Sequence, residues 1–206
     1  MADSSHDTTL LLLQAAQAGD QPATNRLFER YRDRLLQVVS LLLARRRAAL
    51  LEDEEDIVQD TLLKAFQNLG SFTPRSEGSL LHWLSKLAEN NLRDALRRER
   101  AQKRSAGRVR PPVDRSTGFL LSSIFPGREP TPSQVACDGE LVEQVESLLI
   151  GLPERKRRVF VMRRLCDLSF EEIAAELGLG SAASARSLYS RIMANLSSRL
   201  PDPFGQ

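Results

Sequence analysis

The side chains best suited to recognition chemistry in this chain are carboxylates. Glu52 to Asp56 are five consecutive acids, and Gln59 and Asp60 follow on the polar side of a helical pattern in "DEEDIVQDTLLKAF" (53–66). Carboxylates at a helix start are favoured by the unpaired N–H groups and the helix dipole, at roughly 0.3–1 kcal/mol each. That accounts for one or two acids and leaves an excess to be explained. The opposite pole is "RDALRRERAQKRSAGRVR" (93–110), a basic block after an amphipathic segment. Such a block reads as a nucleic-acid surface, with a merely solvated helix end as the alternative. Nothing supports catalysis: His6 lies in a polar tail and His82 beside Trp83, with no nucleophile or metal-spaced partner near either. No Walker-type glycine loop is present. The two cysteines, Cys137 and Cys166, are too few for a disulfide framework or a zinc site and point to a reduced, cytosolic chain.

The elements that must position these groups read as helices. The chain has 206 residues, enough for one domain or two small ones. Hydrophobic residues make up 41% and aromatics 5%, so the core is expected to be aliphatic. The net charge of +2 conceals a division. Residues 1–72 carry 8 basic and 11 acidic side chains, residues 73–115 carry 11 and 5, and residues 116–206 carry 10 and 11. The surplus of positive charge therefore sits in the middle.

From residue 10 to about 104 the pattern is helical nearly throughout. Leu27, Phe28, Tyr31, Leu35, Val38, Val39 and Leu42 form one apolar face, with Asp20 and Pro22 as cap and first-turn residues. In the acidic segment Val58, Leu62, Ala65, Phe66 and Leu69 fall on one side. "GSFTPRSEGS" (70–79) breaks that helix. The next runs from about Leu80 to Arg104, with Leu80, Trp83, Leu84, Leu87, Leu92 and Leu96 as its apolar members. Residues 105–137 form a linker by composition, rich in proline and glycine, with one apolar patch, "GFLLSSIF" (118–125), that reads as a docking element or as local packing. Helices resume with Leu141, Val145, Leu148 and Leu149 inward, and Pro153 stands where a first-turn proline is tolerated. Ser169 to Glu172 has the form of a capping box, "GLG" (178–180) ends the short helix it starts, and a last helix runs from Ser181 to about Leu200. Two helices joined by a glycine turn form the helix-turn-helix pattern, which any helical hairpin imitates. The expected fold is all-α: two small helical domains, residues 10–104 and 138–200, joined by a flexible linker. The run Leu10–Leu13 is too short for a signal-peptide core, and no apolar stretch approaches the roughly 20 residues of a membrane span.

"DEEDIVQDTLLKAF", "SEGSLLHWLSKLAENNLRDALRR" and "LPERKRRVFVMRRLCDLSFEEIAAELGL" together resemble a bacterial RNA polymerase sigma factor of the sigma-70 family, extracytoplasmic-function type. The likeness covers residues 10–104 and 138–200, with the motifs in the family's order and spacing. It implies that Asp53, Glu55, Asp56, Gln59 and Asp60 dock on the arginine-bearing clamp helices of the polymerase's largest subunit, which explains the excess of acids. It also implies that the loop 70–79, which includes Phe72, holds a flipped base of the −10 element, with Trp83 in the helix behind it. A purely core role for Trp83 is the alternative. Asn90 matches a recurrent family asparagine, and Arg93, Arg97, Arg98 and Arg100 would track phosphates. Glu89 and Asn91 depart from the family, which more often has a basic and an apolar residue there. At the C-terminal end, the recognition helix aligns if Gly180 is an extra turn residue. Ser181, Ser184, Arg186, Ser187 and Arg191 then face the −35 element, while Ala185, Tyr189, Ile192 and Leu196 are buried.

The resemblance implies core RNA polymerase and promoter DNA as partners, an anti-sigma factor as inhibitor, no cofactor, and a cytoplasmic location without membrane insertion. Two other readings stay open. A helix-turn-helix regulator acting without polymerase, its N-terminal half sensing a signal, predicts operator binding by the chain alone and leaves "DEEDIVQD" unexplained. A helical adaptor that binds no DNA leaves the charge segregation unexplained.

Overall fold

The computed structural model describes residues 3–43, 54–74, 79–102, 144–145 and 147–200. Among these every regular element is helical, as the periodicity predicts. The chain divides into two compact units, Met1–Arg110 and Pro111–Gln206. The expected linker, its apolar patch 118–125, Cys137 and Leu141 lie outside the described residues.

In the first unit α1 (Asp3–Gln17) turns at Gly19, whose φ of +93° suits glycine, into α2 (Gln21–Leu43). Asp20 caps α2, its Oδ1 accepting from the Ala23 amide at 3.1 Å. α3 (Glu54–Asn68) ends in a single 3-10 turn, Leu69–Ser71, and α4 (Ser79–Gln102) completes the unit. α2 is central and packs on α1, α3 and α4, while α3 also packs on α4. The centre is aliphatic: Leu27, Leu35, Val38, Ile57, Val58, Ala65, Leu81 and Leu84 are fully buried. Each large aliphatic side chain removed from water contributes about 1.5–3 kcal/mol, which is what holds four helices with few aromatics.

The buried stripe of α3 differs from the sequence reading. Ile57, Val58, Thr61 and Ala65 face inward, Leu62 is half-buried, and Phe66 is 48% exposed. Ala65 and Leu69 hold the inner line of the helix, and Phe66, one residue on, is turned about 100° away from it. Its apolar character alone put it on the wrong side.

In the second unit, residues 147–151 are helical, with Val145 and Leu149 buried. Pro153 is the N-cap of α5 (Glu154–Phe160), so it stands just before the first turn rather than within it. α5 continues as one widened π turn, Val161–Leu165, in which the Cys166 amide reaches back to the Val161 carbonyl at 3.0 Å. Then α6 (Phe170–Leu177) begins with the expected capping box. The Glu172 amide donates to Ser169 Oγ at 3.1 Å, and the Ser169 amide donates to Glu172 Oε2 at 2.8 Å. Gly178 and Gly180, with φ of +58° and +77°, make the turn into α7 (Ala182–Ser197). α6 and α5 both pack on α7.

One basic residue of α5 is not on the surface. Arg157 is only 4% exposed and donates from Nη1 to the carbonyls of Ile150 and Leu152, both at 3.2 Å. It satisfies the open C-terminal carbonyls of the preceding helix, which a charged donor does well. The charge run 154–158 is therefore partly structural.

Candidate functional site

On α3, Asp56, Gln59 and Asp60 share one exposed side at three- and four-residue spacing. The other acids of the run have different situations. Glu54 is buried, Glu55 is half-buried and ion-paired to Arg32 Nη2 of α2, and Asp53 lies outside the described residues. The exposed side continues past the acids into Leu63, 58% exposed, and Phe66. The sequence reading missed this apolar extension. Helical spacing carries the signal, since Leu63 is seven residues after Asp56 and Phe66 seven after Gln59.

α4 carries the second surface in the same unit. Trp83, Asn90, Arg93 and Arg97 follow at intervals of seven, three and four residues along its outer side. Trp83 is half-buried, and the ring of Phe72 lies against it at 4.9 Å between centroids and an angle of 30°. Both aromatics pack on each other and remain partly accessible to solvent. Asn90 Oδ1 accepts from Arg93 Nη1 at 3.0 Å, and Arg97 lies 3.8 Å from Asp94. Arg98 is exposed toward one edge, and the side chain of Arg100 is outside the described residues. Beneath the stripe, Asn91 is 2% exposed and bonded through both its side-chain nitrogen and its oxygen. Its Nδ2 donates to Thr61 Oγ1 at 2.9 Å, its Oδ1 accepts from Lys64 Nζ, and Thr61 Oγ1 donates to the Ile57 carbonyl at 2.6 Å. An asparagine in place of an apolar residue is thus matched by a hydroxyl on α3.

In the second unit Ser181 caps α7, its Oγ accepting from the Ser184 amide at 3.2 Å. Ala185, Ile192 and Leu196 are buried, and Tyr189 is half-buried. Ser184, Ser187 and Arg191 form one exposed side, with Arg191 Nε donating to the Ser187 carbonyl at 3.3 Å. Arg186 is not with them. Its guanidinium lies 5.2 Å over the ring of Phe170 on α6, where Arg163 also lies, 4.9 Å from the centroid. The turn itself is tied by Arg155, whose Nη2 donates to the carbonyls of Leu177 and Gly178 at 3.2 and 3.3 Å.

Among the described residues no His, Cys, Asp and Glu cluster could hold a metal ion, and no helix is long and apolar enough to cross a membrane. What the surfaces offer is binding: an acidic side, a basic stripe headed by aromatics, and a capped helix bearing hydroxyls and arginine.

The profile of one protein family, described as ECF sigma factor, matches residues 6–197 and so includes both units. The chain is similar to the ECF RNA polymerase sigma-E factor of Salmonella typhimurium, 32% identical over 177 residues that cover 82% of each chain. The protein of the same name from Escherichia coli (strain K12) gives the same figures. The ECF RNA polymerase sigma factor SigE of Mycolicibacterium smegmatis is 29% identical over 167 residues, 78% of this chain and 56% of that protein. A match of this extent, falling on the motifs that carry the acidic side, the basic stripe and the glycine turn, places the chain in the ECF sigma factor family.

Proposed function

We propose that the chain acts as a sigma subunit: it binds core RNA polymerase, directs it to specific promoters and assists strand opening. The observation that carries this reading is the family match across both units, 6–197. A stand-alone helix-turn-helix regulator, with the first unit sensing a signal, leaves the acidic side of that unit unexplained. The chemistry of RNA synthesis belongs to the polymerase; this chain supplies address and strand opening.

The residue assignments follow the surfaces. Asp56, Gln59 and Asp60, with Asp53 and Glu55 beside them, meet arginines on the clamp helices of the polymerase's largest subunit. Charge complementarity there speeds encounter and fixes register more than it adds affinity. Phe72 and Trp83 flank the site of the flipped −10 base, Asn90 faces the strand, and Arg93, Arg97, Arg98 and Arg100 follow phosphates. Ser181, Ser184, Ser187 and Arg191 face the −35 element, and Arg186 joins them by leaving Phe170. Residues 10–104 and 138–200 thus serve as the −10 and −35 domains, with 105–137 as linker. The chain works in the cytoplasm, where the polymerase and promoter DNA are, and an anti-sigma factor covering both polymerase-binding faces would silence it.

The test is capture of core polymerase by the tagged chain, followed by run-off transcription from a library of random duplexes. Stable capture and transcription from a defined subset of templates are expected. No capture, or tight sequence-specific duplex binding by the chain alone, would overturn the proposal.

A further inference from the structure

Gln17 ends α1 and reaches across more than fifty residues of sequence to the turn after α3. Its Nε2 donates one hydrogen to the Leu69 carbonyl at 2.9 Å and the other to the Phe72 carbonyl at 2.7 Å. Two carbonyls admit only an amide nitrogen here, so the orientation of the side chain is fixed by chemistry. The base from which it reaches is itself locked. The Gly19 amide donates to Ala16 and the Asp20 amide to Ala15, at 3.1 and 3.0 Å, around the left-handed Gly19. At the other end, the Phe72 amide donates to the same Leu69 carbonyl at 3.1 Å, and the Phe72 ring rests on Trp83. The backbone of residues 69–72 is therefore held from α1 while its aromatic side chain is held from α4.

Gln17 is exposed and its bond to the Phe72 carbonyl is exposed, while the bond to the Leu69 carbonyl is part-buried, so the contact contributes only modestly to stability. What the bidentate contact adds is direction: it sets where the chain leaves α3 and where the Phe72 ring stands. We propose that Gln17 is a positioning residue for promoter opening, holding the Leu69–Phe72 turn in the form that captures an unstacked base. This rests on the sigma reading above, in which that turn borders the −10 strand. Pre-paying the order of the turn lowers the cost of capture, as rigid support does for any binding site.

The experiment uses full-length chain, core polymerase and a promoter selected from random duplexes with wild-type holoenzyme. Gln17→Met keeps length and removes the donors; Gln17→Ala removes both length and donors. Both variants should bind core within twofold of wild type and keep the same helical content. Both should lose about tenfold in affinity of holoenzyme for the single-stranded non-template −10 segment, and in the rate of opening read by permanganate at −10 thymines. A tenfold change is about 1.4 kcal/mol, the scale of two side-chain hydrogen bonds of which the one to Leu69 is part-buried. Failure of wild-type holoenzyme to yield any promoter sinks the sigma reading itself. If wild type opens the promoter and Gln17→Met opens it equally well, the role of Gln17 is refuted. Loss of core binding in step with opening refutes it too, because the residue would then be merely structural.

Discussion

Asn91 and Thr61 make a test of how this core was matched. Asn91 has its amide nitrogen on the Thr61 hydroxyl at 2.9 Å inside the α3–α4 interface, and Thr61 in turn donates to the Ile57 carbonyl. In Thr61→Val the Asn91 amide keeps its place at 2% exposure but loses the acceptor for a buried N–H. Leaving such a donor unpaired costs about 1–3 kcal/mol. Asn91→Leu is milder. Thr61 Oγ1 retains its bond to Ile57, Lys64 is exposed and recovers water, and the new side chain gains apolar burial, so the net cost is about 1 kcal/mol or less. In the double variant neither orphan exists, and stability should exceed that of Thr61→Val alone, with a coupling of about 1–2 kcal/mol. Trp83, the single tryptophan, lies in α4 and reports this unit without interference from the other. Urea unfolding followed by its fluorescence therefore gives all four corners of the cycle, and thermal unfolding should show about 4–8 °C per kcal/mol for a unit of this size. Additivity of the two substitutions within about 0.3–0.5 kcal/mol would refute the reasoning, because independent sites add to that precision.

Other outcomes follow from the surfaces. Asp56→Arg with Asp60→Arg should abolish capture of core polymerase while circular dichroism stays unchanged, since both side chains are exposed; wild-type capture by the double variant would end the docking assignment. The isolated chain should bind duplex DNA weakly and lose affinity steeply between about 50 and 200 mM salt, because phosphate contacts dominate such binding. Salt-independent binding in a filter or anisotropy assay contradicts this. Ser169→Ala removes the capping box of α6 and should destabilise the second unit by about 0.5–2 kcal/mol. Far-UV ellipticity during unfolding should show it, with the Trp83 transition unmoved.

Much of this was legible because helices announce themselves by period and punctuation. Asp20, Ser169, Gly178 and Ser181 mark helix ends in sequence and stand at helix ends in structure. The acids of α3 were legible as a cluster, yet only the fold shows that Glu54 is buried and Glu55 tied to Arg32. No local rule distinguishes Arg157, which bonds carbonyls, from an arginine that faces water. The π turn at Val161–Leu165 has no sequence mark either, and Val161, Met162, Leu165 and Cys166 are buried there. Gln17 escaped notice because its partners lie 52 and 55 residues away.

The first unit places opposite charges on two helices that share one core. The acidic side of α3 and the basic stripe of α4 are exposed, while Ile57, Val58, Leu84 and Asn91 fill the space between the helices and their neighbours. Rigid helices hold their side chains in register better than loops do, so each surface can recruit its own partner without reshaping the other. Separation also prevents self-neutralisation: acids beside the arginines of α4 would compete with phosphate. Asp94 shows the scale of that competition, since it lies 3.8 Å from Arg97 with both side chains more than half exposed. An exposed pair of this kind contributes about 0–1 kcal/mol and is weakened by salt, so a phosphate can displace it. On the proposed reading, the few arginines of the stripe would give the chain only modest hold on DNA by itself, and the acidic side would supply the attachment that brings it to a promoter.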